Sequence, residues 1–221
     1  MSKKLFISKP LEEVSELVDF CQLNGYELIA ESFLSFKAIP FTTESPFDVV
    51  FFGSKRAVEF YLQHEKINDT TLIACVGEAT AKTIKLLGYN PSFTGEKAGD
   101  IASVAEDFKI WLKNKKVLFA QAKESNRSIS KVLDSTQYQE ISVYETIISS
   151  KKISSCDAYI FTSPSNAKGF LFANQITENK SVISWGTSTK QFLEENLITV
   201  NFTLTTASFS ELIQTLRQLN F

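Results

Sequence analysis

The chain has 221 residues, enough for one large domain or two small ones, and 43% hydrophobic with 22% charged residues is a globular balance. That balance excludes a disordered tail, a collagen-like chain and a disulfide scaffold. A net charge of -2 gives no bulk electrostatic case for nucleic acid. The longest apolar runs are strand-sized, well short of the roughly 20 residues of a membrane span.

Met1 to Pro10 carries lysines but no apolar core, so no secretory signal is expected there. Leu5 to Ile7 reads as a strand. Val14, Leu17, Val18 and Cys21 follow at helical spacing, and Gly25-Tyr26 marks that helix's end. Phe33 to Phe47, with Pro40 and Pro46, reads as an extended connection. Strands are expected at Val49 to Phe52, Leu72 to Val76, Val117 to Phe119, Tyr159 to Phe161 and Val182 to Trp185. Gly88-Tyr89 is a second helix end. Ile101, Val104, Ala105 and Phe108 predict one further helix, and Phe209, Leu212, Ile213 and Leu216 another. Glu140 to Ser155 is a second extended stretch, alternating through Ile141, Val143 and then Tyr144, Thr146. The two extended stretches are either ordinary loops or partners in an antiparallel ribbon. Apolar strands alternating with amphipathic helices imply doubly wound parallel sheets with right-handed crossovers.

The chain repeats itself. Asp48-Val49-Val50-Phe51-Phe52-Gly53-Ser54 matches Asp157-Ala158-Tyr159-Ile160-Phe161-Thr162-Ser163, and Gly77 and Thr80 match Gly186 and Thr189. Every pair is 109 residues apart. Two related units are the simplest reading.

In such sheets ligands sit beyond the carboxyl ends of the strands. Four turns place small and polar residues there: Gly53 to Arg56, Gly77 to Thr80, Thr162 to Asn166 and Gly186 to Thr189. Each precedes a helix, whose free N–H groups suit carboxylate or phosphate. The plainer alternative is that Ser54, Thr80, Ser163 and Ser188 are helix caps. Lys9, Lys55, Arg56, Lys123, Arg127 and Lys168 are the cations near this rim. Asp48 and Asp157 precede their strands and belong to the opposite edge. No P-loop, no dinucleotide glycine motif and no acidic cluster at metal-ligand spacing is present. His64 is the only histidine, which argues against zinc and against a Ser-His-Asp triad. Cys21, Cys75 and Cys156 lack CxxC spacing and read as reduced core thiols of a cytoplasmic protein.

Several dispersed motifs resemble one family almost end to end. They are Ile7-Ser8-Lys9-Pro10, Phe52-Gly53-Ser54-Lys55-Arg56-Ala57-Val58, Val76-Gly77-Glu78-Ala79-Thr80-Ala81, Val143-Tyr144-Glu145-Thr146, Phe161 to Ala167 and Gly186-Thr187-Ser188-Thr189. Together they resemble the uroporphyrinogen-III synthases. The resemblance implies two similar flavodoxin- or Rossmann-like parallel-sheet domains joined by a two-stranded antiparallel ladder. One domain would be residues 1–33 plus 148–221 and the other 41–139, with linkers 34–40 and 140–147.

It further implies closure of the linear tetrapyrrole hydroxymethylbilane to uroporphyrinogen III in the cleft between the domains. The last pyrrole ring inverts, water is lost, and no metal or organic cofactor takes part. Tyr144 matches the family's cleft tyrosine and is the candidate proton donor to the leaving hydroxyl; a phenol is protonated at neutral pH. Candidate substrate contacts are Lys9, Ser54, Gly77, Thr80, Arg127, Ser163, Ser165, Asn166, Lys180, Gly186, Ser188 and Thr189. Ser8-Lys9-Pro10 stands where the family often has Thr-Arg-Pro, which keeps the charge but loses a bidentate carboxylate contact. The expected partners are the substrate and, as a candidate, the upstream hydroxymethylbilane synthase. Neither nucleic acid nor membrane is expected, and the chain should be a monomer. The competing readings are a two-domain module that binds a small anion without chemistry, and a transferase on two Rossmann-like domains, for which no signature is visible.

Overall fold

The computed structural model describes residues 2–43, 46–96, 100–177 and 179–219. In chain order the elements are β1 (Lys4–Ile7), α1 (Ser15–Asn24), β2 (Glu27–Ala30), β3 (Leu34–Ala38), β4 (Val49–Phe52), α2 (Lys55–His64), β5 (Leu72–Cys75), α3 (Glu78–Leu86), β6 (Phe93–Thr94), α4 (Ile101–Leu112), β7 (Val117–Ala122), β8 (Tyr138–Ile148), β9 (Ala158–Phe161), α5 (Pro164–Leu171), β10 (Ser181–Ser184), α6 (Thr187–Glu195), β11 (Phe202–Thr203) and α7 (Phe209–Gln218). The chain divides into two compact units. One comprises Met1–Ser35 and Ile147–Phe221; the other is Phe36–Thr146.

The first unit holds a five-stranded sheet in the order β11-β10-β9-β1-β2, parallel at every pairing. The second holds six strands in the order β3-β8-β7-β4-β5-β6, parallel from β8 to β6. The expected α/β class with parallel sheets is therefore found. The strands β2, β6 and β11 escaped sequence reading. Two of them are only two residues long and β2 is half exposed, so none carries a legible apolar run.

Side-chain alternation sends each strand's residues to two cores. In the second unit Val50 and Phe52 meet Ala57, Val58 and Tyr61 of α2 and Ala81 and Ile84 of α3. Val49 and Phe51 meet Val104, Phe108 and Leu112 of α4 on the other face. In the first unit Leu5 and Ile7 face α1 and α7, while Phe6 joins Phe161, Phe170 and Leu193 toward α5 and α6. Both sheets are covered twice, as near-continuous apolar strands require.

The 109-residue repeat is structural. β4, α2, β5, α3 and β6 begin 109 residues before β9, α5, β10, α6 and β11. The local geometry repeats too: Ser54 and Ser163 have φ of -161° each. The Asp48 carboxylate accepts the Lys116 N–H at 2.8 Å, and Asp157 accepts the Lys4 N–H at 2.9 Å. Each aspartate thus ties its central strand to the neighbour at the amino edge. The repeat differs in chain order. In the first unit that neighbour, β1, precedes the repeat; in the second, β7 follows it. Both helix ends expected at glycine are present. Gly25 and Gly88 take φ of 67° and 87°, and the next tyrosine N–H returns to the carbonyl five residues back, Cys21 in one case and Ile84 in the other.

The three cysteines are free and buried. Burial pushes the Cys21 and Cys156 thiols up to about 11. Thiol reagents should therefore label neither until the protein unfolds.

Gly169 of α5 lies where an added Cβ would come within 2.4 Å of the Phe33 Cβ and 2.7 Å of the Ser149 carbonyl oxygen. Gly169→Ala should lower stability by about 1–3 kcal/mol in urea unfolding, whereas Gly186→Ala, with open space at its Cβ position, should cost only the roughly 0.5–1 kcal/mol of a poorer helix cap. The Lys4 N–H, followed by Lys180, holds the Asp157 carboxyl below its ordinary range. A lowered folded pKa stabilises above the unfolded value and loses that stabilisation as pH falls through the folded one. Asp157→Asn should therefore flatten the acid limb of the stability curve below about pH 4, read as urea midpoints across pH.

Candidate functional site

Where successive connections leave a strand edge in opposite directions, the carboxyl ends open a crevice. In the second unit this point lies between β4 and β7. A cavity of about 270 Å³ opens there, lined by Gly53, Ser54, Phe119, Gln121, Arg127 and Tyr144 among others. Three of the expected site residues, Ser54, Arg127 and Tyr144, thus meet at one cavity.

Tyr144 is aimed by an irregularity in β8. Along β7 and β8, Gln121 pairs with Ser142 but Ala122 pairs with Tyr144, so Val143 is skipped. The bulge reverses the alternation. Tyr144 then joins Ile141 and Val143 on the α2 face and is 7% exposed. Its ring stacks on Phe60 at 5.2 Å and 18°, and Phe36 meets it edge-on at 6.0 Å. The Arg56 guanidinium lies 3.8 Å above the Phe36 ring. The phenol oxygen is 3.4 Å from Ser54 Oγ. Ser54 Oγ already accepts the Ala57 N–H at 3.2 Å as the cap of α2, so its own proton is free to go to the phenol oxygen. That would leave the phenol proton for a ligand.

Arg127 sits in the loop after β7 with φ of 54°. Its Nε contacts Glu140 Oε2 at 3.2 Å. Lys123 is paired with Glu145 at 3.3 Å. Gly77 caps α3 without a side chain, and Thr80, 4% exposed, stands in the first turn.

In the first unit the corresponding point lies between β1 and β9. Ser8, fully buried, accepts the Thr162 N–H at 2.8 Å, and the Thr162 hydroxyl donates to the Ser8 carbonyl at 2.8 Å. Lys9 follows, paired with Glu13 at 2.9 Å. Ser163 caps α5, accepting the Asn166 N–H at 3.2 Å, with Ser165 half-buried beside it. Gly186 caps α6, so Ser188 lies inside the helix and Thr189 is 2% exposed. The cap reading therefore holds for Ser54 and Ser163 and fails for Thr80 and Ser188, where glycine is the cap.

Two residues stand apart. Lys180 precedes β10, at the amino edge of the sheet, and pairs with Asp157 at 2.9 Å. Ser163 and Gly186 lie at the opposite, carboxyl edge, so the structure does not bring Lys180 to them. Asn166 is 6% exposed, and its amide oxygen accepts the Phe33 N–H at 2.9 Å. Its amide nitrogen donates to Ser163 Oγ at 3.3 Å. Asn166 faces inward and holds the chain after β2 onto α5. Sequence reading missed Ser130, Glu140, Phe60 and Phe36. No motif or spacing pointed to them, because their roles come from tertiary contact with Tyr144 and Arg127.

Among the described residues no group of three or more His, Cys, Asp or Glu could hold a metal ion. No described helix is long and apolar enough to cross a membrane.

The parallel sheets, with hydroxyl-bearing turns at their carboxyl edges, define an α/β protein of the parallel-sheet class. Its particular kind comes from comparison with known proteins. The family model described as uroporphyrinogen-III synthase HemD matches residues 15–214, and the chain belongs to that family. It is thereby a cyclising hydro-lyase of haem biosynthesis, acting on hydroxymethylbilane. The fold is similar to that of uroporphyrinogen-III synthetase from Helicobacter pylori, with a TM-score of 0.74 at 22% identity, covering 99% of this chain and 100% of that one. It is also similar to a mutant uroporphyrinogen III synthase from the extremely thermophilic bacterium Thermus thermophilus, with a TM-score of 0.61 at 11% identity, covering 99% of each chain. No curated protein sequence matches this chain.

The caps and the non-caps separate experimentally. Ser54→Ala and Ser163→Ala should each lower stability by about 1 kcal/mol, whereas Ser188→Ala should leave the unfolding midpoint in place.

Proposed function

We propose that the chain converts hydroxymethylbilane to uroporphyrinogen III with Tyr144 as proton donor. The turns at the strand carboxyl ends would hold the substrate's acetate and propionate groups. The observation that carries this is the meeting of Tyr144, Ser54 and Arg127 at one cavity on the switch point of a parallel sheet. The pyrrole nitrogen lone pair expels the hydroxymethyl oxygen, Tyr144 gives that oxygen its proton, and water leaves an azafulvene behind. The substituted α-carbon of the last ring then attacks the azafulvene methylene. The bond from that carbon to its original bridging methylene breaks, leaving a second azafulvene on the third ring. The free α-carbon of the last ring attacks that methylene and loses its proton as the pyrrole nitrogen regains one, which leaves the last ring inverted. Ser54 steadies the phenol oxygen. Arg127, Lys9, Ser163, Ser165, Gly77, Thr80, Gly186, Ser188 and Thr189 remain the substrate contacts, with helix N–H groups donating to the carboxylates. Holding a flexible chain curled until its ends meet is an orientation effect and carries much of the rate.

Residues 34–40 and 140–147 serve as the two linkers, running antiparallel. In support, the Ile39 N–H donates to the Val143 carbonyl and the Ser149 N–H to the Phe33 carbonyl, so one strand ascends as the other descends. The chain works as a cytoplasmic monomer fed by hydroxymethylbilane synthase. An anion-binding module without chemistry is the lesser reading, since the family it belongs to is enzymatic.

The test is product identity. Hydroxymethylbilane closes unaided to the type I isomer. Freshly generated substrate incubated with the protein should give an excess of type III after oxidation and chromatography. Type I alone, from folded protein, would overturn the assignment.

A further inference from the structure

We propose that Glu140 is a positioning residue for substrate binding, holding Arg127 in place as a carboxylate fork at the cavity in the second unit. This rests on the reading of Arg127 as a substrate contact. Glu140 sits near the start of β8, opposite Phe119 of β7, and its side chain is only 16% exposed. A partly buried strand carboxylate needs partners, and Glu140 has two on the loop that follows β7. Oε2 takes Arg127 Nε at 3.2 Å. Oε1 accepts the Ser130 hydroxyl at 2.5 Å, and Ser130 is itself 2% exposed. The Ser130 oxygen also lies 3.2 Å from the Arg127 carbonyl, so the shorter bond to Glu140 takes its single proton.

The loop is held from within as well. The Arg127 N–H donates to Ser125 Oγ at 3.2 Å, and the Lys131 N–H donates to the Arg127 carbonyl at 3.3 Å. Arg127 holds φ of 54°, a left-handed conformation that a non-glycine residue keeps only when its surroundings enforce it. Glu140 and Ser130 supply that enforcement. The ion pair is made through Nε, whereas the edge that grips a carboxylate in bidentate fashion is the one formed by the two Nη groups. An arginine on a loop of this kind, 57% exposed, would otherwise give up rotamer entropy on every binding event.

Charge and positioning predict opposite effects, which makes the inference testable. As mere charge, Glu140 repels a polycarboxylate, so removing it should lower KM. As a tether, its loss should raise KM. With hydroxymethylbilane as substrate, Glu140→Ala should raise KM by roughly tenfold with kcat little changed, the scale of losing one hydrogen bond to a charged acceptor, that from Ser130, together with the ion pair. Glu140→Gln, which keeps an acceptor for Ser130 but removes the charge paired with Arg127, should raise KM by less than Glu140→Ala does. Glu140→Asp keeps the charge but withdraws it by one methylene, so it too should raise KM. This variant decides the matter should Glu140→Ala fail to fold, as thermal unfolding would show. In an Arg127→Ala background, Glu140→Ala should add nothing. A KM that falls or stays unchanged in Glu140→Ala and Glu140→Asp, while Arg127→Ala raises it, overturns the positioning role alone. An unchanged KM in Arg127→Ala overturns the substrate reading of Arg127, and this inference with it.

Discussion

Burial of both faces of two parallel sheets is the constraint from which the rest follows. Strands such as Val49–Phe52 and Ala158–Phe161 are buried at every residue and have no face left for polar chemistry. Polar groups are confined to the strand edges. At the amino edge the work is structural: Asp48 and Asp157 tie neighbouring strands together, and Lys180 completes the second tie. At the carboxyl edge, helix N-termini and hydroxyls stay available to a ligand. The direction of the strands therefore sorts the polar residues into those that hold the fold and those that can hold substrate.

A single skipped residue turns that frame toward chemistry. Without the bulge at Val143, Tyr144 would follow Ser142 to the opposite face of β8, away from Phe60 and Ser54. The bulge places the phenol between two aromatic rings, with only its oxygen end near Ser54 at the cavity. Such packing fixes the ring without spending hydrogen-bonding capacity on it. Polar cavity and aromatic clamp thus come from the same local event in the backbone.

Much of this was legible in the residues. The 109-residue repeat survives as five pairs of matching elements, and Ser54 and Ser163 share one backbone geometry because they share one cap chemistry. The bulge at Val143 was not foreseen: the stretch from Glu140 read as regular alternation, and only the pairing with β7 shows the skipped residue. Other features left no trace. Lys180 resembled a substrate contact by position, and strand direction puts it at the amino edge beside Asp157, opposite Ser163 and Gly186. Asn166 resembled a polar site residue, and its amide is consumed by the Phe33 N–H. Thr80 and Ser188 looked like caps because glycine caps without a side chain. Glu140 gave no signal at all: its role depends on a left-handed residue thirteen positions earlier, and that conformation is set by tertiary contact.

The central claim is that the bulge-directed phenol supplies the proton to the leaving hydroxyl. Steady-state kinetics of Tyr144→Phe on hydroxymethylbilane tests it most directly, because the substitution keeps the ring packing and removes only the oxygen. The account predicts a kcat lower by roughly 10²–10⁴-fold with KM nearly unchanged. A kcat retained within a few-fold, or a loss confined to KM, would contradict it.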